Sequence, residues 1–200
     1  MKKLIILLCL IFIPALTASD TSTYVLAVSG QDAGGTPSEY TLCEEVTESL
    51  GANYANETMV RGNSCVTDAT GGTLTKICAH YNIVDSSVNG FKMVVSKTSS
   101  GDPSGQDIVA QVVGTLTPDT TGVYCVDVSG SPQLDGSTEY YVGIVTEDAD
   151  DRYSYTNSAT GASAWYATES SYSAAFSDPM IAGYTETANR QWSVWAVYEH

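Results

Sequence analysis

Basic charge, histidine and helical periodicity are all scarce in this chain. Eight Lys and Arg residues stand against 23 Asp and Glu, a formal net charge of −15. A surface of that sign repels polyanions, which excludes nucleic acid as a partner and disfavours anionic membranes. Only two histidines occur, His80 and His200, so any serine–histidine chemistry would depend on one of them. No GxSxG elbow, HExxH helix or phosphate-cradling glycine loop is present. No CxxC pair exists and His80 is the only histidine near a cysteine, which argues against zinc. Carboxylates abound, yet no spacing singles out a pair suited to glycoside hydrolysis. No catalytic constellation stands out.

What is present begins with the first twenty residues. Lys2 and Lys3 precede an apolar run over residues 4–15, followed by the small residues Thr17, Ala18 and Ser19. Positive start, greasy centre and small-residue exit are the layout of a secretory signal peptide cut after Ala18 or Ser19. The run is shorter than the roughly 20 residues a membrane-spanning helix needs, and no second long run follows, so no membrane insertion is expected. The expected organisation is a signal peptide over residues 1–19 and a single β-sandwich domain over 20–200. Cys9 lies inside the leader and leaves with it. The remaining chain has six basic residues against 23 acidic ones, a net charge of −17.

Four cysteines then remain: Cys43, Cys65, Cys78 and Cys125. An even number in an exported chain reads as two disulfides, with three pairings available. Cys43 with Cys65 would tie down a Gly- and Asn-containing segment that lacks periodicity. Cys78 with Cys125 would join two strand-like runs, Ile77-Cys78-Ala79-His80-Tyr81 and Val123-Tyr124-Cys125-Val126. That pairing is preferred.

The abundant Thr, Ser, Gly, Val and Tyr favour strands and turns. Only residues 38–50 offer a short helix, with Tyr40, Cys43, Val46 and Leu50 at helical spacing, and a strand over residues 40–46 competes with it. Elsewhere the period is two. Strands are expected at 23–28, at 74–83, and around Phe91-Lys92-Met93-Val94-Val95. Further ones are expected around Ile108, Ala110 and Val112, around Tyr124 and Val126, and around Tyr140, Val142 and Ile144. The closing run sets Trp192, Val194, Ala196 and Tyr198 against Ser193, Trp195, Val197 and Glu199. Short strands divided by turn clusters, with no helix after each, predict an all-β antiparallel sandwich of jelly-roll type.

Four pieces in order carry a family resemblance. They are Gly72-Thr73-Leu74-Thr75-Lys76-Ile77; Gly90-Phe91-Lys92-Met93-Val94-Val95 with the turn Gly101-Asp102-Pro103-Ser104-Gly105; Leu134-Asp135-Gly136 through Tyr140-Tyr141-Val142-Gly143-Ile144; and the closing aromatic strand. Residues 71–200 thereby resemble bacterial extracellular jelly-roll modules of the lectin-like or carbohydrate-binding type. The resemblance implies a fold; no binding residue of that family maps onto this chain.

Two features could bind something. The acidic run Glu147, Asp148, Asp150 and Asp151 follows a strand, and clustered oxygens are what Ca²⁺ requires. It lacks the EF-hand spacing, and a solvated acidic turn partly neutralised by Arg152 is the simpler reading. Among the aromatics of the last third, Trp165, Tyr166 and Tyr172 lie in a polar segment and form the expected exposed set. Such rings can stack on sugars or anchor a protein. Trp192 is assigned to the core. The sequon Asn56-Glu57-Thr58 could carry a glycan in a eukaryotic secretory route. The sequence therefore predicts a secreted, non-catalytic structural or adhesive module whose partner is a surface or matrix protein, including itself. An extracellular glycan is the alternative partner.

Overall fold

A computed structural model describes residues 37–43, 60–83, 87–97, 107–147, 152–153, 155–156, 163–167, 187–188 and 191–200. All of them fall in one compact unit, Thr36–His200. In chain order the strands are β1 (Glu39–Leu42), β2 (Val60–Val66), β3 (Gly71–Ile83), β4 (Gly90–Lys97), β5 (Ile108–Thr115), β6 (Gly122–Asp127) and β7 (Gln133–Asp135). They continue as β8 (Glu139–Thr146), β9 (Arg152–Tyr153), β10 (Tyr155–Thr156), β11 (Ser163–Ala167), β12 (Thr187–Ala188), β13 (Gln191–Trp192) and β14 (Val194–Glu199). No helix occurs among the described residues.

Two antiparallel sheets form the body. One runs β1-β14-β3-β6, with β7 and β9 also pairing β3; the other runs β12-β11-β2-β8-β4-β5; β10 and β13 make a small separate pair. Across the sandwich, β5 packs against β6, β4 against β3, and β8 and β2 against β14. The β1 end and the β5/β6 end are therefore opposite edges. The all-β antiparallel sandwich expected from the sequence is the observed architecture. Where a helix competed with a strand, Glu39–Leu42 is a strand paired with Ala196–Glu199, and residues 44–50 lie outside the described residues. So does the strand expected at 23–28.

Alternation accounts for the core. Leu42, Ile77, Ala79, Tyr81, Val194 and Ala196 from the first sheet meet Met93, Val95, Val112, Val142 and Ile144 from the second. Each such aliphatic side chain contributes about 1.5–3 kcal/mol on burial. Central strands are buried on both faces, whereas β5 alternates between buried or half-buried and exposed positions and β6 between half-buried and exposed ones. Val60, Val94, Tyr141 and Val145 make a second buried cluster at the positions alternating with the core-facing ones. There the Tyr141 ring lies over the cross-strand pair Gly62–Gly143, and a Cβ on Gly62 would stand 2.8 Å from the Tyr141 ring and 2.0 Å from the Val142 carbonyl oxygen.

Strand β2 was the element least legible in sequence, because its inward positions are polar. Asn63 is completely buried. Its Nδ2 donates to the carbonyls of Trp192 (2.8 Å) and Val194 (3.1 Å), and its Oδ1 accepts from the Trp192 N–H at 2.8 Å. The side-chain amide thus stitches one sheet to the interruption at Ser193 between β13 and β14. A buried amide is tolerated because these groups are paired. Beside it, Cys43 at the end of β1 is bonded to Cys65 on β2, joining the two sheets. Cys78 on β3 and Cys125 on β6 are register partners bonded within one sheet. This is the preferred pairing.

Candidate functional site

The acidic loop is only partly inside the described residues. Glu147 follows the end of β8, and its Oε2 accepts the Gly90 N–H at 2.7 Å while its own N–H donates to the Gly90 carbonyl at 2.8 Å. That carboxylate closes a ring with the first residue of β4. Asp148, Asp150 and Asp151 lie outside the described residues. Among the described residues no group of three His, Cys, Asp or Glu is placed to hold a metal ion.

Of the aromatic set, Trp165 and Tyr166 belong to β11, where the register sets Trp165 across from Gly62 and Tyr166 across from Arg61. Tyr172 lies outside the described residues. Trp192 is in the core as expected, fully buried, edge-on to Tyr155 with ring centroids 5.1 Å apart. The Arg61 guanidinium stands 5.0 Å from the centre of the Trp192 ring, a cation–π distance. Sequence reasoning missed this Arg61–Asn63–Trp192 group. Its only signal was a polar residue at alternate positions of a short run ending in a cysteine.

The two histidines are structural in placement. His80 is buried on β3; its backbone N–H donates to the Ser193 carbonyl at 2.9 Å. Burial lowers its pKa below the ordinary 6.5. Neither His80 Nδ1 nor Ser193 Oγ has a hydrogen-bond partner among the described residues, so the two do not form a nucleophile–base pair. His200 stacks on Tyr40 at 4.2 Å, with Nδ1 3.8 Å from Asp68 Oδ2.

Around His200 the loops are tied by phenols. Tyr198 Oη accepts the Asp68 N–H at 3.2 Å and Tyr140 Oη accepts the Asp135 N–H at 2.7 Å. Burial raises the pKa of both phenols. Asp68 Oδ1 accepts from the Thr70 and Gly71 N–H groups, and Thr67 Oγ1 donates to the Asp135 carbonyl at 2.6 Å. Lys97 meets Asp135 at 2.7 Å, which raises the lysine pKa. These bonds hold turns in place.

The opposite edge is different in kind. Among the described residues β5 pairs only with β4. Leu116 donates to the Asn89 carbonyl at 2.8 Å, and Gly114 and Val112 are register partners of Phe91 and Met93. Residues of an antiparallel strand alternate between facing the partner and facing away. Gln111, Val113 and Thr115 therefore turn their N–H and C=O groups away from β4, and no described residue bonds to them. From 108 to 118 the chain carries no charge, and Val113 is 59% exposed. Natural edges are ordinarily blunted by Lys, Pro or bulges, because an open ladder recruits another strand. β5 has a bulge at its start, between Val95 and Ser96 of its partner, and no charge or proline.

No protein-family model matches the chain, and no curated protein matches it significantly. Two antiparallel sheets forming a sandwich, with one disulfide between the sheets and one within a sheet, are what this protein shows of its class.

Proposed function

We propose that the chain is an exported, non-catalytic structural or adhesive protein that assembles with copies of itself in a surface layer or matrix. Its leader-like residues 1–19 and its paired cysteines support export to an oxidising compartment. The order β1-β14-β3-β6 facing β2-β8-β4-β5, with the chain passing repeatedly between sheets, supports the jelly-roll reading. Among the described residues no helix is long and apolar enough to cross a membrane.

The observation that carries the reading is the edge of β5. In a chain of net charge −15, copies repel one another wherever carboxylates face. The uncharged, outward-facing ladder from Gln111 to Thr115 is a surface on which contact costs no charge repulsion. Light scattering on the protein lacking its leader tests this. Concentration-dependent species larger than one protomer are expected, and a monomer at every concentration overturns it.

Glycan binding through Trp165, Tyr166 and Tyr172 is the alternative function. A flat stacking platform on one strand uses alternate positions, and Trp165 and Tyr166 are consecutive. A glycan array with W165A and Y166A controls separates this alternative from assembly.

A further inference from the structure

We propose that residues 23–28 of a second copy add as a strand to the outer edge of β5, joining copies head to tail. The inference rests on the self-assembly reading and gives it an interface. Three observations bring acceptor and donor together.

The first is the acceptor. Gln111, Val113 and Thr115 present three outward N–H groups and three outward C=O groups, one side of an antiparallel or parallel ladder. Strand addition is driven by such main-chain bonds, with alternate side chains adding selectivity. The second is charge. Residues 21–30, Thr-Ser-Thr-Tyr-Val-Leu-Ala-Val-Ser-Gly, contain no Asp, Glu, Lys, Arg or His, and neither do residues 108–118. In so acidic a chain these two neutral stretches can meet without carboxylate repulsion. Tyr24, Leu26 and Val28 alternate with Thr23, Val25 and Ala27, so residues 23–28 have strand periodicity and a length that matches three outward positions.

The third is where the donor enters the fold. Residues 23–28 lie outside the described residues, and the chain enters the sandwich at β1, the edge opposite β5. Residues 29–38, ten residues with Gly30, Gly34 and Gly35 among them, can span up to about 33 Å. Donor and acceptor are different segments of the chain, so the contact is heterologous and can propagate from copy to copy into a ring or an open filament.

The test uses the full chain after removal of residues 1–19, with sedimentation for mass and hydrogen exchange read on residues 109–115. The expected result is an assembled species in which the Gln111, Val113 and Thr115 amides are protected. Val113→Pro removes one outward N–H and should abolish the assembled species. Val25→Pro in the donor should do the same while leaving the sandwich intact, and it decides the matter if Val113→Pro fails to fold. In protein deleted for residues 21–35, a synthetic peptide of residues 21–30 should bind and restore protection of the same three amides. Assembly that persists in both proline variants overturns strand addition while leaving self-assembly standing. A monomer whose β5 amides are protected in a Val25-dependent way places the donor on its own β5 and overturns the second-copy contact. A monomer with unprotected amides overturns both this inference and the assembly reading.

Discussion

The two edges of the sandwich are secured by different physics. At the β1 edge a disulfide from Cys43 to Cys65 crosses between sheets, and the Asn63 amide bonds the backbone on both sides of Ser193. At the β5/β6 edge the disulfide stays within one sheet, and the layers meet through rings: Tyr81 lies 5.5 Å from both Phe91 and Tyr124. Bonds with fixed directions hold the first edge in one geometry. Ring packing holds the second and leaves the backbone of β5 facing outward. One edge is fastened; at the other, among the described residues, no strand lies beyond β5.

Breaking the fastened edge should cost most. Asn63→Ala leaves the Trp192 N–H and the carbonyls of Trp192 and Val194 buried without their side-chain partner. A loss of about 1.5–4.5 kcal/mol is expected in urea unfolding, from roughly 0.5–1.5 kcal/mol for each of the hydrogen bonds removed. A loss below about 1 kcal/mol would mean the seam does not depend on this amide.

The disulfides sharpen the comparison because their loops differ, 22 residues for Cys43–Cys65 and 47 for Cys78–Cys125. Chain entropy alone predicts losses of about 3 and about 4 kcal/mol for the respective double serine variants. If joining two sheets matters beyond loop length, the order reverses, and paired denaturation curves read it directly.

Gly62→Ala places a methyl carbon against the Val142 carbonyl oxygen and the Tyr141 ring. A loss of about 1–3 kcal/mol is expected from overpacking, read as a lower thermal midpoint.

Acidity probes the buried face of β3. Folding favours neutral His80, since burial lowers its pKa below 6.5. The unfolded chain then binds more protons in the window just below 6.5, so its contribution is complete above that pH and declines as pH falls through it. Unfolding midpoints between pH 7 and 5.5 should show this slope in the parent, and His80→Gln should flatten it.

The smallest effect belongs to the open edge. Val113→Glu should change stability by less than about 0.5 kcal/mol, because the side chain is mostly in solvent. A large loss would show that this edge is already engaged within the protomer.

Legibility in sequence followed the chemistry of each strand. β4, β8 and β14 alternate apolar residues over six or more positions and were readable. The cysteine pairing was preferred on the strand-like runs around Cys78 and Cys125 but not determined, since three pairings were open until the structure set Cys43 with Cys65 and Cys78 with Cys125. β2 was not readable: Arg61, Gly62, Asn63 and Ser64 look like a loop until the Trp192 backbone and the Tyr141 ring are seen to complete them. The helix that residues 38–50 could have begun gives way over Glu39–Leu42, whose residues pair with Ala196–Glu199 in a sheet already built around β14. Of the site residues, Glu147 read as a possible calcium ligand, yet its carboxylate is bonded to Gly90, a partner 57 positions away.

By itself the sequence determined the class of fold, the number of cysteines available to pair and the net acidity, because periodicity, cysteine number and charge are properties of neighbouring residues or of the whole. Only the tertiary structure decided that a polar asparagine belongs at the centre, that a disulfide and an amide secure one edge and that, among the described residues, β5 pairs on one side alone. Those outcomes depend on hydrogen-bond partners and strand order supplied by residues far apart in the chain, which no local pattern encodes.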